Sequence, residues 1–73
     1  MAERHPGTTH LLRCFEYGHL PGRLQAVSEP CHGLAHEMTA ALPDGPELTA
    51  GLRKLLEAKD CFVRAALDVP KED

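Results

Sequence analysis

Lys59 is the residue whose position raises the clearest chemical question. In the segment LRKLLEAKDCFVRAAL, residues 52–67, apolar residues recur along one helix face at about 100° per residue, and Lys59 lies at the centre of that face. Two roles are open. Its aliphatic stem covers apolar surface while the ammonium group reaches water or a carboxylate, or the cation lies at a subunit junction and meets an anionic ligand or another chain's carboxylate.

Arg64 and the two aromatic residues near the N-terminus are further candidates for ligand contacts. The planar guanidinium of Arg64 suits phosphate recognition, although Asp60 lies four residues earlier and predicts a surface ion pair with it. Tyr17 can stack on a nucleobase and still hydrogen-bond through its hydroxyl. For Phe15 the favoured interpretation is a hydrophobic plug for the helices, with ligand contact as the alternative.

His32 and His36 are the one pair with a spacing that can seat a metal ion. A structural zinc site needs four ligands, however, and His36-Glu37 lacks the second histidine of a zincin motif. Solvated histidines are therefore the favoured interpretation, and a metal-dependent enzyme built on this pair and a cysteine is the least favoured. No nucleophilic triad motif and no glycine-rich phosphate loop is found. We expect no metal, no cofactor and no enzymatic activity.

Size, charge and cysteine usage limit the possible partners. A chain of 73 residues is one small domain, whose core seldom supplies more than about 3–5 kcal/mol without a staple or a partner. The three cysteines are widely spaced, which favours a reduced cytoplasmic interior. The net charge is -3 with no basic cluster, and no apolar run approaches the roughly 20 residues of a membrane span. We expect neither a DNA or RNA polymer nor a membrane as partner.

The sequence divides into a flexible tail over residues 1–10, a helical hairpin domain over residues 11–69 and a charged tail over residues 70–73. Residues 11–17 alternate loosely and are too few to make a sheet, so they are predicted to form a short extended arm. The fold class is therefore predicted to be all-α: an antiparallel helical hairpin with a kinked first helix and this arm at its N-terminus.

Proline residues define the two predicted helices. The first begins near Leu20, and Pro30 interrupts it, which predicts either a kinked helix or two short helices meeting there. The second runs from Pro46 to Val69, and Asp44 with Glu47 resembles a capping box at its start.

Both predicted helices have an apolar stripe wider than a seam, the row of residues that contacts the partner helix in a coiled-coil-like pair. The seam positions of the first helix are Leu20, Leu24, Val27, Cys31, Leu34, Met38 and Ala41. Two helices close only one seam, so the remaining apolar surface must be covered by the arm and by other copies of the chain. This predicts a homo-oligomer.

Three features together resemble a known family. They are the aromatic-x-aromatic element at residues 15–17, the Pro/Asp/Gly loop between the helices, and the sequence LxxxKDCFVRAA at residues 55–66. Over residues 11–67 the chain resembles the short hairpin proteins with which bacteriophages sequester cyclic-nucleotide immune signals: the anti-CBASS sponges and the related anti-Thoeris sponges. The resemblance implies compact helical oligomers, commonly hexamers, that hold intact cyclic nucleotides in pockets between subunits in the host cytoplasm.

The resemblance also implies roles for individual residues. Tyr17 would stack on a base and Arg64 would be the late-helix arginine of the pocket. Family members often carry a phosphate-binding lysine in the first long helix, where Arg23 and His32 are the nearby substitutes in this chain. Apart from the resemblance, the central position of Lys59 on its helix face motivates the hypothesis that it serves as the phosphate cation missing from the first helix. The function expected is sequestration of cyclic di- or trinucleotides or cyclic ADP-ribose isomers, which blocks antiphage signalling. The alternative is a structural or protein-interaction hairpin without a nucleotide ligand.

Overall fold

A computed structural model describes residues 5–68, and this range is helical with no β-strand. α1 is Pro6–Arg13, α2 is Gly22–Ala41 and α3 is Pro46–Leu67. α2 and α3 pack along each other, and α1 packs mainly on α3. The all-α class is thus confirmed, and the packing of α2 on α3 is compatible with the predicted hairpin. Across residues 5–68, no helix has both the length and the apolar composition that crossing a bilayer requires.

The prediction of an extended N-terminal arm is wrong. The chain is already helical from Pro6, whose fixed φ suits the first helical position, and the Gly7 N–H donates to His5 Nδ1 at 2.9 Å. Residues 6–10, assigned to the tail from sequence, thus form the first turns of α1. Thr8 and Leu11 are buried at a helical spacing, so a helix covers the hairpin where an arm was expected. The predictions for residues 1–4 and 69–73 concern residues outside the described range.

α2 continues through Pro30, so the alternative of two short helices is wrong. Proline inside a helix removes one backbone donor and frees the carbonyl of the residue four positions earlier, here Ala26. Both residues are exposed, so water can reach the freed carbonyl. The cost of the proline is therefore smaller here than on the buried face.

The face of α2 that enters the core is only partly the predicted seam, because Leu24 and Cys31 are buried as predicted and other seam residues are not. The buried residues are Leu24, Ser28, Cys31, Ala35 and Thr39. By contrast, the predicted seam residue Leu34 is 43% exposed, and Met38 is only half-buried. The reason is size: small side chains on one face let α2 approach α3 closely, while the larger residues are left beside the interface.

The start of α3 at Pro46 is confirmed, but its predicted capping box is wrong. Gly45 is the N-cap, so Asp44 does not occupy the N-cap position that a capping box requires. The Asp44 carboxylate instead accepts from the His5 backbone N–H at 2.9 Å and from Thr8 Oγ1 at 3.4 Å. Asp44 therefore ties the start of α1 to the α2–α3 loop.

The core is small and centred on Phe15. Phe15 and Ala35 are 0% exposed and Leu52 is 2% exposed. Towards the end of α3 the burial is lost: Phe62 is 54% exposed and Leu67 is 52% exposed. The C-terminal half of the predicted apolar stripe is thus left uncovered by the chain's own described residues.

Ser28 provides a test of the packing in α2. Its side chain is 1% exposed, and its Oγ has no hydrogen-bond partner among the described residues. Because an unpaired buried hydroxyl costs about 1–3 kcal/mol, Ser28→Ala is expected to raise the free energy of unfolding by about 1 kcal/mol in urea denaturation. The matched control is Thr39→Val, which removes a hydroxyl that donates to the Ala35 carbonyl at 2.8 Å and should be destabilising. Loss of stability in Ser28→Ala would show that the Ser28 hydroxyl is not buried without a partner.

Candidate functional site

Four side chains form a polar aromatic group at the surface, which we call the Tyr17 cluster: Tyr17, Glu29, His32 and His36. The Tyr17 hydroxyl donates to Glu29 Oε2 at 3.3 Å. The rings of Tyr17 and His32 meet edge to face, with centroids 5.1 Å apart and planes at 77°. The His36 ring follows, with its centroid 4.4 Å from that of His32. The cluster therefore joins three aromatic rings and one carboxylate in a continuous line.

Local sequence explains how the Tyr17 cluster forms. Glu29, His32 and His36 are spaced by three and four residues, so they share one face of α2. Tyr17 belongs to the loop between α1 and α2, which turns through a hydrogen bond from the Leu20 N–H to the Tyr17 carbonyl at 3.0 Å. Gln25 lies one turn before Glu29, and its Nε2 donates to the Leu20 carbonyl at 2.7 Å. Gln25 thus holds the loop so that Tyr17 meets the face of α2.

Glu29 controls the electrostatics of the tyrosine. Its negative charge, followed by desolvation of the phenol and the hydrogen bond between the two side chains, raises the pKa of Tyr17 above the ordinary value of 10.0. Each of these effects disfavours the phenolate. Tyr17 therefore keeps its proton over the physiological range and offers a ring face without negative charge.

The Tyr17 pKa can be measured directly, because the chain contains one Tyr and no Trp. Glu29→Gln removes the negative charge that opposes ionisation, so the midpoint of the phenolate absorbance titration is expected to fall towards 10.0. Glu37→Gln, at another exposed position of α2, is the matched control and should leave the midpoint where it is in the unchanged chain. An unchanged midpoint in Glu29→Gln would show that the charge of Glu29 does not act on the Tyr17 phenol.

A second group of charged residues surrounds Lys59. They line a cleft of about 260 Å³, which we call the Lys59 cleft; its lining residues are Cys14, Glu16, His19, Leu20, Lys59, Asp60, Val63 and Arg64. The cleft contains two cations and two carboxylates besides His19. Because the charges balance, the cleft of one chain has no excess positive charge for a phosphate.

The environment of Lys59 answers the question that the sequence raised. Its side chain is 13% exposed, and its Nζ lies 3.0 Å from Asp60 Oδ1. Within one chain, the side chain is therefore largely covered and its ammonium group meets the carboxylate of the next residue. The predicted ion pair between Asp60 and Arg64 is wrong: Arg64 Nη2 instead donates to Cys61 Sγ at 3.4 Å.

The structure divides the predicted ligand-binding residues into groups. Tyr17 and His32 lie together in the Tyr17 cluster, and Lys59 and Arg64 lie together in the Lys59 cleft. Arg23 is exposed in the first turn of α2 and belongs to neither group.

Phe15 is corrected from a ligand-binding residue to a core residue. Its side chain is 0% exposed, so a ligand on the surface cannot touch the ring. It packs within the core cluster that also contains Leu11, Ala35 and Leu52. The hydrophobic-plug interpretation is the one that the structure supports.

Glu29 is the functional candidate that the sequence analysis missed. An acidic residue three positions before His32 indicates a shared helix face, and this signal was available. The α1–α2 loop brings the Tyr17 hydroxyl to the Glu29 carboxylate. This is a tertiary contact, and no local sequence signal predicts it.

The histidine pair does not form part of a larger metal-ligand group. Within residues 5–68, no three His, Cys, Asp or Glu side chains are arranged to hold a metal ion. The rings of His32 and His36 instead lie against each other, at an interplanar angle of 43°. The pair therefore extends the aromatic surface that begins at Tyr17.

Comparisons of the chain with protein-family models, with curated proteins and with solved structures find no match.

Proposed function

We propose that this protein is a non-catalytic binding module that sequesters cyclic nucleotide immune signals, namely cyclic di- or trinucleotides or cyclic ADP-ribose isomers. By holding the signal intact in the bacterial cytoplasm, it would block antiphage signalling. The observation that carries the proposal is the contact between Tyr17 and His32. The sequence resemblance gives base stacking to Tyr17, and His32 is a nearby substitute for the family's phosphate-binding lysine. The two residues come from different structural elements.

The chemistry of the Tyr17 cluster suits a flat, anionic ligand. Tyr17 is half-buried, which fixes the ring while leaving part of it accessible for stacking. His32 and His36 add two imidazole rings that can stack on a base or donate hydrogen bonds to phosphate oxygens. A ligand with two or more phosphates needs further cations. We therefore propose that pockets form between copies, where Arg23, Lys59 and Arg64 of neighbouring chains supplement the cluster.

Self-association is supported by the apolar surface that one chain leaves uncovered. The exposed large apolar residues are Leu34, Leu42, Phe62 and Leu67. An apolar groove of about 290 Å³ also lies between α2 and α3, lined mainly by leucines and including Leu34 and Leu42. We propose a compact homo-oligomer, a hexamer by the resemblance, in which these residues are buried and α2 bends at Pro30 to shape the contact.

The apolar end of α3 allows the assembly to be tested. Phe62→Glu is expected to dissociate the oligomer while leaving the helical content of the chain unchanged, because Phe62 is 54% exposed in one chain and lies outside its core. Sedimentation velocity at micromolar concentration measures the change, and circular dichroism checks the helices. The matched control is Arg53→Glu, which places a glutamate at an exposed position on the opposite face of α3. If Phe62→Glu sediments like the unchanged chain, α3 does not form the interface.

Ligand binding can be followed at the proposed site itself. Because the chain has one Tyr and no Trp, its intrinsic emission reports on Tyr17 alone. A base that stacks on the ring is expected to quench this emission as a panel of cyclic nucleotides is titrated. A quench that saturates for at least one cyclic nucleotide, and not for its linear counterpart, supports the proposal. Unchanged emission across the whole panel would contradict it.

The alternative is a structural or protein-interaction hairpin, which is favoured by the exposed leucines on α2 and in the α2–α3 loop. This function predicts that no cyclic nucleotide shifts the melting temperature of the protein. It also predicts that the isolated oligomer still exposes apolar surface and binds a dye that fluoresces on such surface. Sequestration predicts the opposite result in both measurements.

A further inference from the structure

The position of Glu29 within the Tyr17 cluster has consequences for which base the cluster accepts. Its side chain is exposed on α2, beside the hydroxyl end of the one tyrosine. A carboxylate is an acceptor with two oxygens and about four lone-pair sites. Among residues 5–68, one side-chain donor, the Tyr17 hydroxyl, is bonded to it, and that bond reaches Oε2. Glu29 therefore has accepting capacity left at the edge of the proposed stacking surface.

The edges of the four bases differ in how well they match a carboxylate. Guanine presents two adjacent donors, N1–H and an N2–H, which together fit the two oxygens of one carboxylate. Adenine and cytosine each place an acceptor nitrogen beside their amino group, and uracil has one N–H between two carbonyl oxygens. Only guanine therefore forms two hydrogen bonds with a carboxylate without bringing an acceptor against it.

The geometry points to Glu29 as a specificity-determining residue that makes the Tyr17 cluster prefer guanine over adenine. In this inference, which rests on the proposed function, the base stacks on Tyr17 and its N1–H and N2–H donate to the Glu29 carboxylate. The hydrogen bond from Tyr17 holds the carboxylate beside the ring, so little side-chain freedom is lost when the base binds. Adenine in the same place sets its N1 lone pair against a negative charge.

The experiment compares two ligands that differ in their bases. Dissociation constants for cyclic di-GMP and cyclic di-AMP are measured by calorimetry for the unchanged full chain, for Glu29→Gln and for the control Glu37→Gln. Glutamine keeps the length of the side chain and can still accept from Tyr17, while its amide offers one donor and one acceptor, which matches the N1 and N6 edge of adenine. Both substituted positions are exposed, so circular dichroism is expected to show unchanged helices.

We expect the unchanged chain and Glu37→Gln to bind cyclic di-GMP about 10- to 100-fold more tightly than cyclic di-AMP, as one bidentate contact allows. Glu29→Gln should lose most of this preference. Equal affinities in the unchanged chain, or a preference that survives in Glu29→Gln, would overturn the role of Glu29 and leave the proposed function standing. If neither these ligands nor any other cyclic nucleotide binds the unchanged chain, the proposed function falls, and this inference falls with it.

Discussion

Replacing Phe15 with alanine is expected to leave most of the chain unfolded at room temperature, because the free energy of unfolding should fall by about 3–5 kcal/mol. Phe15 is 0% exposed and lies at the centre of the core between α1, α2 and α3. A domain of this size seldom gains more than about 3–5 kcal/mol from its own core. The loss is therefore comparable to the whole stability of one chain.

The measurement is circular dichroism with urea titration of Phe15→Ala beside Phe15→Leu. Leucine retains much of the buried apolar volume, so this control is expected to fold cooperatively with a smaller loss of stability. If Phe15→Ala unfolds at the same urea concentration as the unchanged chain, the ring does not support the core. The arrangement of α1 on the hairpin would then be wrong.

Replacing Tyr17 with leucine is expected to weaken the binding of a cyclic nucleotide by about 10- to 100-fold, because stacking of one base on an aromatic ring contributes about 1–3 kcal/mol. Tyr17 is half-buried and lies in the loop before α2, so its loss should leave the three helices in place. Calorimetry with the ligand that the unchanged chain binds most tightly measures the effect.

Tyr17→Phe is the matched control for this prediction. It keeps the ring and removes the hydroxyl that donates to Glu29. If stacking is the main contribution, Tyr17→Phe should retain most of the affinity that Tyr17→Leu loses. Equal affinity of Tyr17→Leu and the unchanged chain would show that the ligand binds elsewhere on the protein.

Much of the fold was predictable from local signals. Pro46 begins α3 because proline at the first helical position loses no hydrogen bond, and the turn residues before it end α2. α1 was missed because Leu11 and Phe15 lie in a segment that alternates loosely. Their spacing of four residues is also helical, and the tertiary contacts with α3 decide between the two structures.

The buried face of α2 could not be read from hydrophobicity. Ser28, Ala35 and Thr39 are buried because they are small, whereas Leu34 is left 43% exposed. The preference for large apolar residues therefore placed Leu34 in the predicted seam wrongly, whereas Leu24 and Cys31 were placed correctly. A small residue is equally acceptable at the surface, so its burial is decided by the partner helix.

The candidate site was predictable as a set of residues but not as an arrangement. Tyr17 and His32 were identified separately, and the loop held by Gln25 brings them together. Lys59 and Arg64 were also identified, yet they share a cleft with Glu16 and Asp60 that balances their charge. Which charges neutralise one another depends on the packing of the α1–α2 loop against α3.

If the protein holds a cyclic nucleotide without changing it, the bound ligand can be recovered intact. The protein is incubated with a panel of cyclic nucleotides, freed of unbound ligand by gel filtration and heated, and the released material is analysed by mass spectrometry. We expect an unmodified cyclic nucleotide to be recovered, and Tyr17→Leu to retain much less of it. Recovery of only linear or hydrolysed product, or of no nucleotide from any member of the panel, would show that the protein does not sequester these signals.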